Sequence, residues 1–281
     1  MDLVFASDLH GSLKRYEKLL SFVEKTQPDA LLLGGDLLPH SLEKYSMEQF
    51  ISEFFFEKIK KIKETKPELE ILVILGNDDP RVYEQLFLEA EKQKLIRYIH
   101  KKTVKLNDFF VTGYSYVPPT PFQLKDWERY DVSRFVDVGA IAPESGIHTV
   151  EPPENIVHHS MKDDLQDLVK NADPKKTIFL FHAPPYKTVL DRAALDGQYV
   201  NHAPLDVHIG SIAILRFIKK YQPFLTLHGH VHESTRLTGR WNQKIGNTIC
   251  VNAAHDCPEL SIIQLDTNHP EQAKRTIHQV G

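Results

Sequence analysis

Five short apolar runs in this 281-residue chain each end beside a side chain that can bind a metal ion. DLVFAS (2–7) leads to Asp8 and His10, ALLLGG (30–35) to Asp36, and EILVIL (70–75) to Asn77; TIFLFH (177–182) ends in His182, and FLTLH (224–228) leads to His230 and His232. Continuous rather than alternating apolarity marks strands covered on both faces. Between the first two runs, Leu13, Tyr16, Leu19, Leu20 and Val23 fall at helical spacing. Covered strands alternating with amphipathic helices restrict the chain to the α/β class, where ligands bind outside the carboxyl ends of the strands. Seven potential ligands therefore converge on one crevice.

The same periodicities predict helices over 12–25, about 42–65, 81–94, 160–171 and 211–221, and further strands near 96–99, 103–106, 109–113, 234–238, 246–251, 260–265 and 274–279. From Tyr114 the texture changes. YSYVPPTPFQLKDWERYD is rich in aromatics and prolines, and 137–160 is polar with scattered Gly, Pro and His. An irregular insertion over about 114–160 is expected above the site, with most of Tyr114, Tyr116, Phe122 and Trp127 anchoring it to the core. Without an interdomain linker or repeat, residues 1–281 read as a single domain. Ser211 is expected to N-cap the helix after it, and Asp79 to N-cap a helix beginning at Pro80.

Asp8 and His10 stand two apart, as do His230 and His232, so on extended backbone each pair projects to one side and could bind one ion together. Gly34, Gly35, Gly76 and Gly229 precede ligand candidates, where a missing Cβ permits tight turns and close approach. Imidazoles, carboxylates and an amide oxygen form a borderline donor set suited to Mn, Fe, Zn or Co. Seven ligands exceed one tetrahedral site. Two ions sharing Asp36, which stands alone in mid-series, would use them all.

Composition narrows the remaining classes. The formal net charge of -4 argues against a basic nucleic-acid binder, and the charges of KIKKIKETK (58–66) read as a solvated helix face. Cys250 and Cys257 make neither a disulfide framework nor a zinc knuckle, and Cys250 reads as a core residue. The N-terminal stretch lacks the features of a signal peptide and no apolar run is long enough to span a membrane, so a cytoplasmic location is expected. His228 alternates away from the face of His230 and His232 and reads as structural. His208 and His255 are the spare histidines expected nearest the crevice, although surface solvation is expected for them and for His148, His158, His159 and His202.

The motifs DLHG, GGD, GND, FHAPP and GHVH, in that order and each behind a strand, resemble those of the calcineurin-like metallophosphoesterases. The resemblance covers nearly the whole chain. It implies a four-layer αββα sandwich of two mixed β-sheets flanked by helices, and two divalent or trivalent transition-metal ions (Mn, Fe or Zn). Asp8, His10 and His232 would hold one ion, Asn77, His182 and His230 the other, and Asp36 would bridge. The implied reaction is phosphoester hydrolysis, in which ions roughly 3.5–4 Å apart generate a hydroxide for in-line attack and clamp the phosphoryl oxygens. A phosphodiesterase acting on a small phosphoester such as a nucleotide is expected, because no arginine cluster is evident to grip a dianionic monoester. An inactive scaffold binding protein partners and a nuclease are the alternatives. The resemblance also implies that Asp79, the family's acid at that position, supports the site, but one position departs from the pattern: the family's histidine after Asn77 is here Asp78. An ionised carboxylate there would give little general-acid help, so substrates with good leaving groups are expected to be favoured unless burial restores a proton to it or another histidine substitutes.

Overall fold

The computed structural model describes residues 1–40 and 46–280. One six-stranded sheet runs in the order β14 (Lys274–His278), β13 (Leu260–Asp266), β1 (Asp2–Ala6), β2 (Ala30–Gly34), β3 (Glu70–Ile74), β4 (Arg97–Tyr98). The other runs β11 (Asn242–Ile245), β12 (Thr248–Asn252), β10 (Leu225–His228), β7 (Thr177–Phe181), β6 (Phe109–Tyr114), β5 (Thr103–Leu106). In the first sheet β1 to β4 are parallel and β13 runs antiparallel to both its neighbours, β1 and β14; in the second, β12, β10, β7 and β6 are parallel between antiparallel edges β11 and β5. A hairpin of β8 (Tyr199–Val200) and β9 (Ala203–Pro204) stands apart.

Strand alternation sorts the core into layers. Leu3, Phe5, Leu32, Leu72 and Ile74 from one sheet meet Val111, Ile178, Leu180, Leu225 and Val251 from the other. The intervening residues Val4, Leu31, Leu33 and Val73 turn outward into a second cluster with Tyr16, Leu19 and Val23 of α1 (Leu13–Thr26). That cluster also holds Ile59 and Phe87, from α3 (Glu57–Thr65) and α4 (Glu84–Lys92), with α2 (Met47–Gln49) leading into α3 through a wider-turned segment, Phe50–Phe56. On the far side, Phe179 and Phe181 face Phe217 of α6 (Ile212–Tyr221), beside α5 (Met161–Leu168). Both faces of each sheet are covered, which is why the strands read as unbroken apolar runs.

Several expectations need correction. Residues 234–238 are not a strand but a one-turn helix, α7 (Ser234–Thr238), ended by Gly239 at φ +71. The Thr238 hydroxyl donates to Ser234 O, closing the turn. The helix over 42–65 begins at Met47, with 42–45 outside the described residues, and 81–94 opens with a tight turn at Arg81–Tyr83. Strands β8, β9 and β11 were not signalled, β8 and β9 being two residues each and β11 (NQKI) polar. Over 115–160 the described structure is irregular apart from a turn at Pro143–Ser145, yet Tyr114, Tyr116 and Trp127 are buried. Phe122, by contrast, is exposed.

Candidate metal centre

The two sheets divide the seven residues between them. The loops after β1, β2 and β3 carry Asp8, His10, Asp36 and Asn77; those after β7 and β10 carry His182, His230 and His232. Asp8 (φ 59), His10 (φ 45), Asp36 (φ 52) and His230 (φ 69) lie in the left-handed region, so the expectation of extended backbone is wrong. Such a conformation costs of order 1–3 kcal/mol at a non-glycine residue and persists where its surroundings over-determine it. Here Asp8 N donates to Gly35 O, His10 N to Asp36 O, and His230 N to the Asp8 carboxylate.

These loops gather two adjoining donor groups. In one, His10 Nε2 lies 3.2 Å from His232 Nε2, which lies 3.1 Å from Asp8 Oδ1, with Asp36 within reach. In the other, His182 Nε2 lies 3.0 Å from Asn77 Oδ1 and 3.2 Å from Asp36 Oδ2, beside the His230 ring. Asp36 belongs to both groups. The Nδ1–H of His182 donates to Gly34 O at 2.7 Å, which fixes the ring and turns Nε2 toward the cluster.

Three observations show that this set fits cations. Facing imidazole nitrogens and carboxylate oxygens are mostly acceptors when neutral or ionised, and they converge with few donors among them. The charge balance demands positive charge: burial would lower His182 and His232, yet the Asp36 and Asp8 carboxylates lift them to about 10 and about 9. His230, by contrast, is pushed by burial and by His182 down to about 3, leaving a neutral imidazole ready to ligate. Finally, a Cβ on Gly76 would stand 2.3 Å from Asp36 Oδ1, and one on Gly229 2.5 Å from Asp8 Oδ2, so glycine is required where backbone closes on the carboxylates.

The sequence profile of the calcineurin-like phosphoesterases matches residues 1–234, which include all seven candidates. The chain belongs to the calcineurin-like phosphoesterase family. Solved structures agree on its fold: a Thermus thermophilus protein is 18% identical, with 100% of this chain and 99% of that one covered and a TM-score of 0.58. A dimetal phosphatase from Danio rerio is 9% identical over 100% and 99% of the two chains, with a TM-score of 0.51. No curated protein matches the sequence.

In this calcineurin-like phosphoesterase the residues around the donor groups differ from expectation in three places. Asp79 does not cap a helix. It is fully buried, its carboxylate accepting from Leu37 N, Leu38 N and Gly76 N, and so stitches the β2 loop to the β3 loop. Burial and the Asp36 charge push it up to about 8, against these three donors. His208 and His255 are half-buried rather than solvated: His208 Nδ1 contacts buried Asp191 at 2.9 Å, and His255 Nε2 lies 3.6 Å from Glu259. His228, as expected, is structural, bonded to Ala183 O and Thr226 Oγ1.

The third difference concerns Asp78. Its amide donates to Asp36 Oδ1, its Oδ1 accepts from the Asn77 amide, and its Oδ2 faces two histidines, His10 Nδ1 at 3.8 Å and His40 Nε2 at 3.6 Å. Burial and the Asp36 charge raise its carboxyl to about 6. His40 was not marked by the sequence pattern, since it follows no strand directly and has no ligand-spaced partner. The aromatic segment flanks this loop too: Trp127 Nε1 donates to Asp79 O at 2.7 Å, and Asp126 accepts from Arg81 N.

Proposed function

We propose that this calcineurin-like phosphoesterase hydrolyses phosphodiesters with two transition-metal ions, Mn, Fe or Zn. Asp8, His10 and His232 would hold one, and Asn77, His182 and His230 the other. The observation carrying this reading is the double membership of Asp36, which lies in both donor groups and would be the shared ligand. Such a pair of ions supplies water activation near neutral pH and charge neutralisation at the phosphoryl oxygens. The chain's own residues set the frame: the Asp78 amide orients Asp36, and Gly34 O fixes the His182 ring. Residues 1–281 act as one domain in this reading, with about 114–160 as a wall beside the site.

The diester preference is supported by what surrounds the carboxylates. Among the described residues, Asp8, Asp36 and Asp78 pair with histidines and with no lysine or arginine. Arg15, which touches the Asp8 loop, spends its guanidinium on the backbone oxygens of Asp8, Cys257 and Pro258. Among the described residues, then, no guanidinium fork is paired with these carboxylates, and Arg15 is not free to grip the second charge of a monoester. A small cytoplasmic phosphodiester, a nucleotide among the candidates, is the substrate we infer.

The test is purified protein loaded with Mn²⁺ and offered bis(p-nitrophenyl) phosphate, p-nitrophenyl phosphate and cyclic nucleotides. Diesters should be turned over faster than the monoester, and Asp36→Asn should lose both metal and activity. Bound metal with no hydrolysis of any substrate would overturn the enzymatic reading, and a faster monoester the preference.

A further inference from the structure

We propose that His40 is the side chain that meets the bound phosphoester at the mouth of the metal centre, with Asp78 and His10 as its positioning residues. This deepens, and rests on, the phosphoesterase reading above.

The direction of approach is written in the exposures. The Asp36 and His182 side chains are 2% and 0% exposed, those of His10 and Asp78 15% and 25%, and that of His40 64%. Solvent therefore reaches the donor groups at His232, whose side chain is 32% exposed, and past His40 beside His10. The ring is held there by contacts on two sides: it stacks on His10 with centroids 4.9 Å apart and planes at 20°, and its Nε2 faces Asp78 Oδ2. One carboxylate oxygen thus stands between two imidazoles, one within the donor cluster and one at the mouth.

The backbone that delivers His40 is equally fixed. Leu37 N and Leu38 N are bonded to Asp79, and Leu37 O accepts from Gly11 N and Tyr16 OH. Pro39 packs so closely on Gly11 (φ +63) that a Cβ there would lie 2.3 Å from Pro39 Cβ. This anchorage, shared with Asp36, fixes the point from which His40 emerges. Placed here, an imidazole N–H can donate to an oxygen of a phosphoester lying over His10, and a donor aimed at developing oxyanion charge is among the stronger contributions a side chain makes to catalysis. The role is one of contact and hydrogen bonding, so an amide side chain of similar reach should replace it in part.

The experiment compares wild type, His40→Ala, His40→Gln, Asp78→Asn and the His40→Ala/Asp78→Asn double variant, loaded with Mn²⁺, by metal content and by kinetics on bis(p-nitrophenyl) phosphate. We expect unchanged metal in His40→Ala, with kcat/KM lowered about 10- to 100-fold, as for loss of one hydrogen bond to a charged group. His40→Gln should recover most of that loss. The cost of His40→Ala should shrink at least about threefold in the Asp78→Asn background, because the two act as a unit. His40→Ala within about twofold of wild type, or with diminished metal, would overturn the inference, as would additive effects in the double variant. If wild type itself is inactive with metal bound, the underlying reading fails; an active wild type with an indifferent His40→Ala removes this inference alone.

Discussion

Asp78 puts a carboxyl, lifted to about 6 by burial and by Asp36, where the family pattern has a histidine. Its carboxylate accepts from the Asn77 amide and faces His10 and His40, so on bis-aryl phosphates, whose leaving groups need no proton, Asp78→Asn should stay within about tenfold of wild type. Asp78→His should raise turnover of alkyl diesters, whose leaving groups need a proton, by about 10- to 100-fold. A loss beyond about a hundredfold in Asp78→Asn, confined to alkyl diesters, would instead make Asp78 the proton donor. His228 illustrates the same physics away from the chemistry. Fully buried, it is driven down to about 4 from its ordinary 6.5. A histidine held neutral by the fold stabilises it above pH 6.5, and that contribution, about 3 kcal/mol, is lost as pH falls toward 4. Denaturant midpoints of the metal-free protein from pH 7.5 to 4 should therefore fall more steeply for wild type than for His228→Asn; parallel profiles would refute this.

Among the elements, the loops do more than connect. The segment after β6 lacks regular structure yet caps α6: Asp131 accepts from Ile212 N, Ala213 N and the Ser211 hydroxyl, while Ser211 itself accepts from Ile214 N. Two capping groups at one helix end satisfy orphan N–H donors and place a carboxylate at the positive end of its dipole. Asp131→Ala should lower unfolding free energy by about 1–2 kcal/mol, read from urea denaturation, with metal content unchanged. No change in the midpoint would mean that water replaces the carboxylate without loss. The same segment carries Arg129, which bridges Asp164 and the Tyr116 ring, and buries the Lys125–Glu128 pair. Satisfied polar groups and buried aromatics, rather than strands or helices, give this stretch its order.

For the whole molecule, the candidate metal centre lies where the ends of two sheets meet, so ions bound there should tie the halves of the sandwich together. At a metal concentration about a hundredfold above Kd, linkage stabilises the native state by about 2.7 kcal/mol, or about 5 °C in Tm for a chain of this size. Chelated protein should regain that margin on adding Mn²⁺, and an unmoved melting curve would count against binding. The α/β class was legible because covered strands must be apolar on both faces, as Leu31, Leu32 and Leu33 are, and the residues that follow them, Asp36 and His182 among them, could be picked out by position, while the two-sheet sandwich came only through the resemblance to the family. The helix at Ser234–Thr238 was not legible, since five residues carry too little periodicity and Gly239 decides the ending. Nor was the left-handed backbone at Asp8 and His10, which depends on hydrogen bonds to the neighbouring β2 loop. By itself the sequence determined the fold class and the seven candidate ligands, because strand order and apolar patterning are local quantities. Only the tertiary structure decided that Asp79 stitches two loops and that His40 stands over His10 beside Asp78, because these contacts join segments that no spacing rule connects.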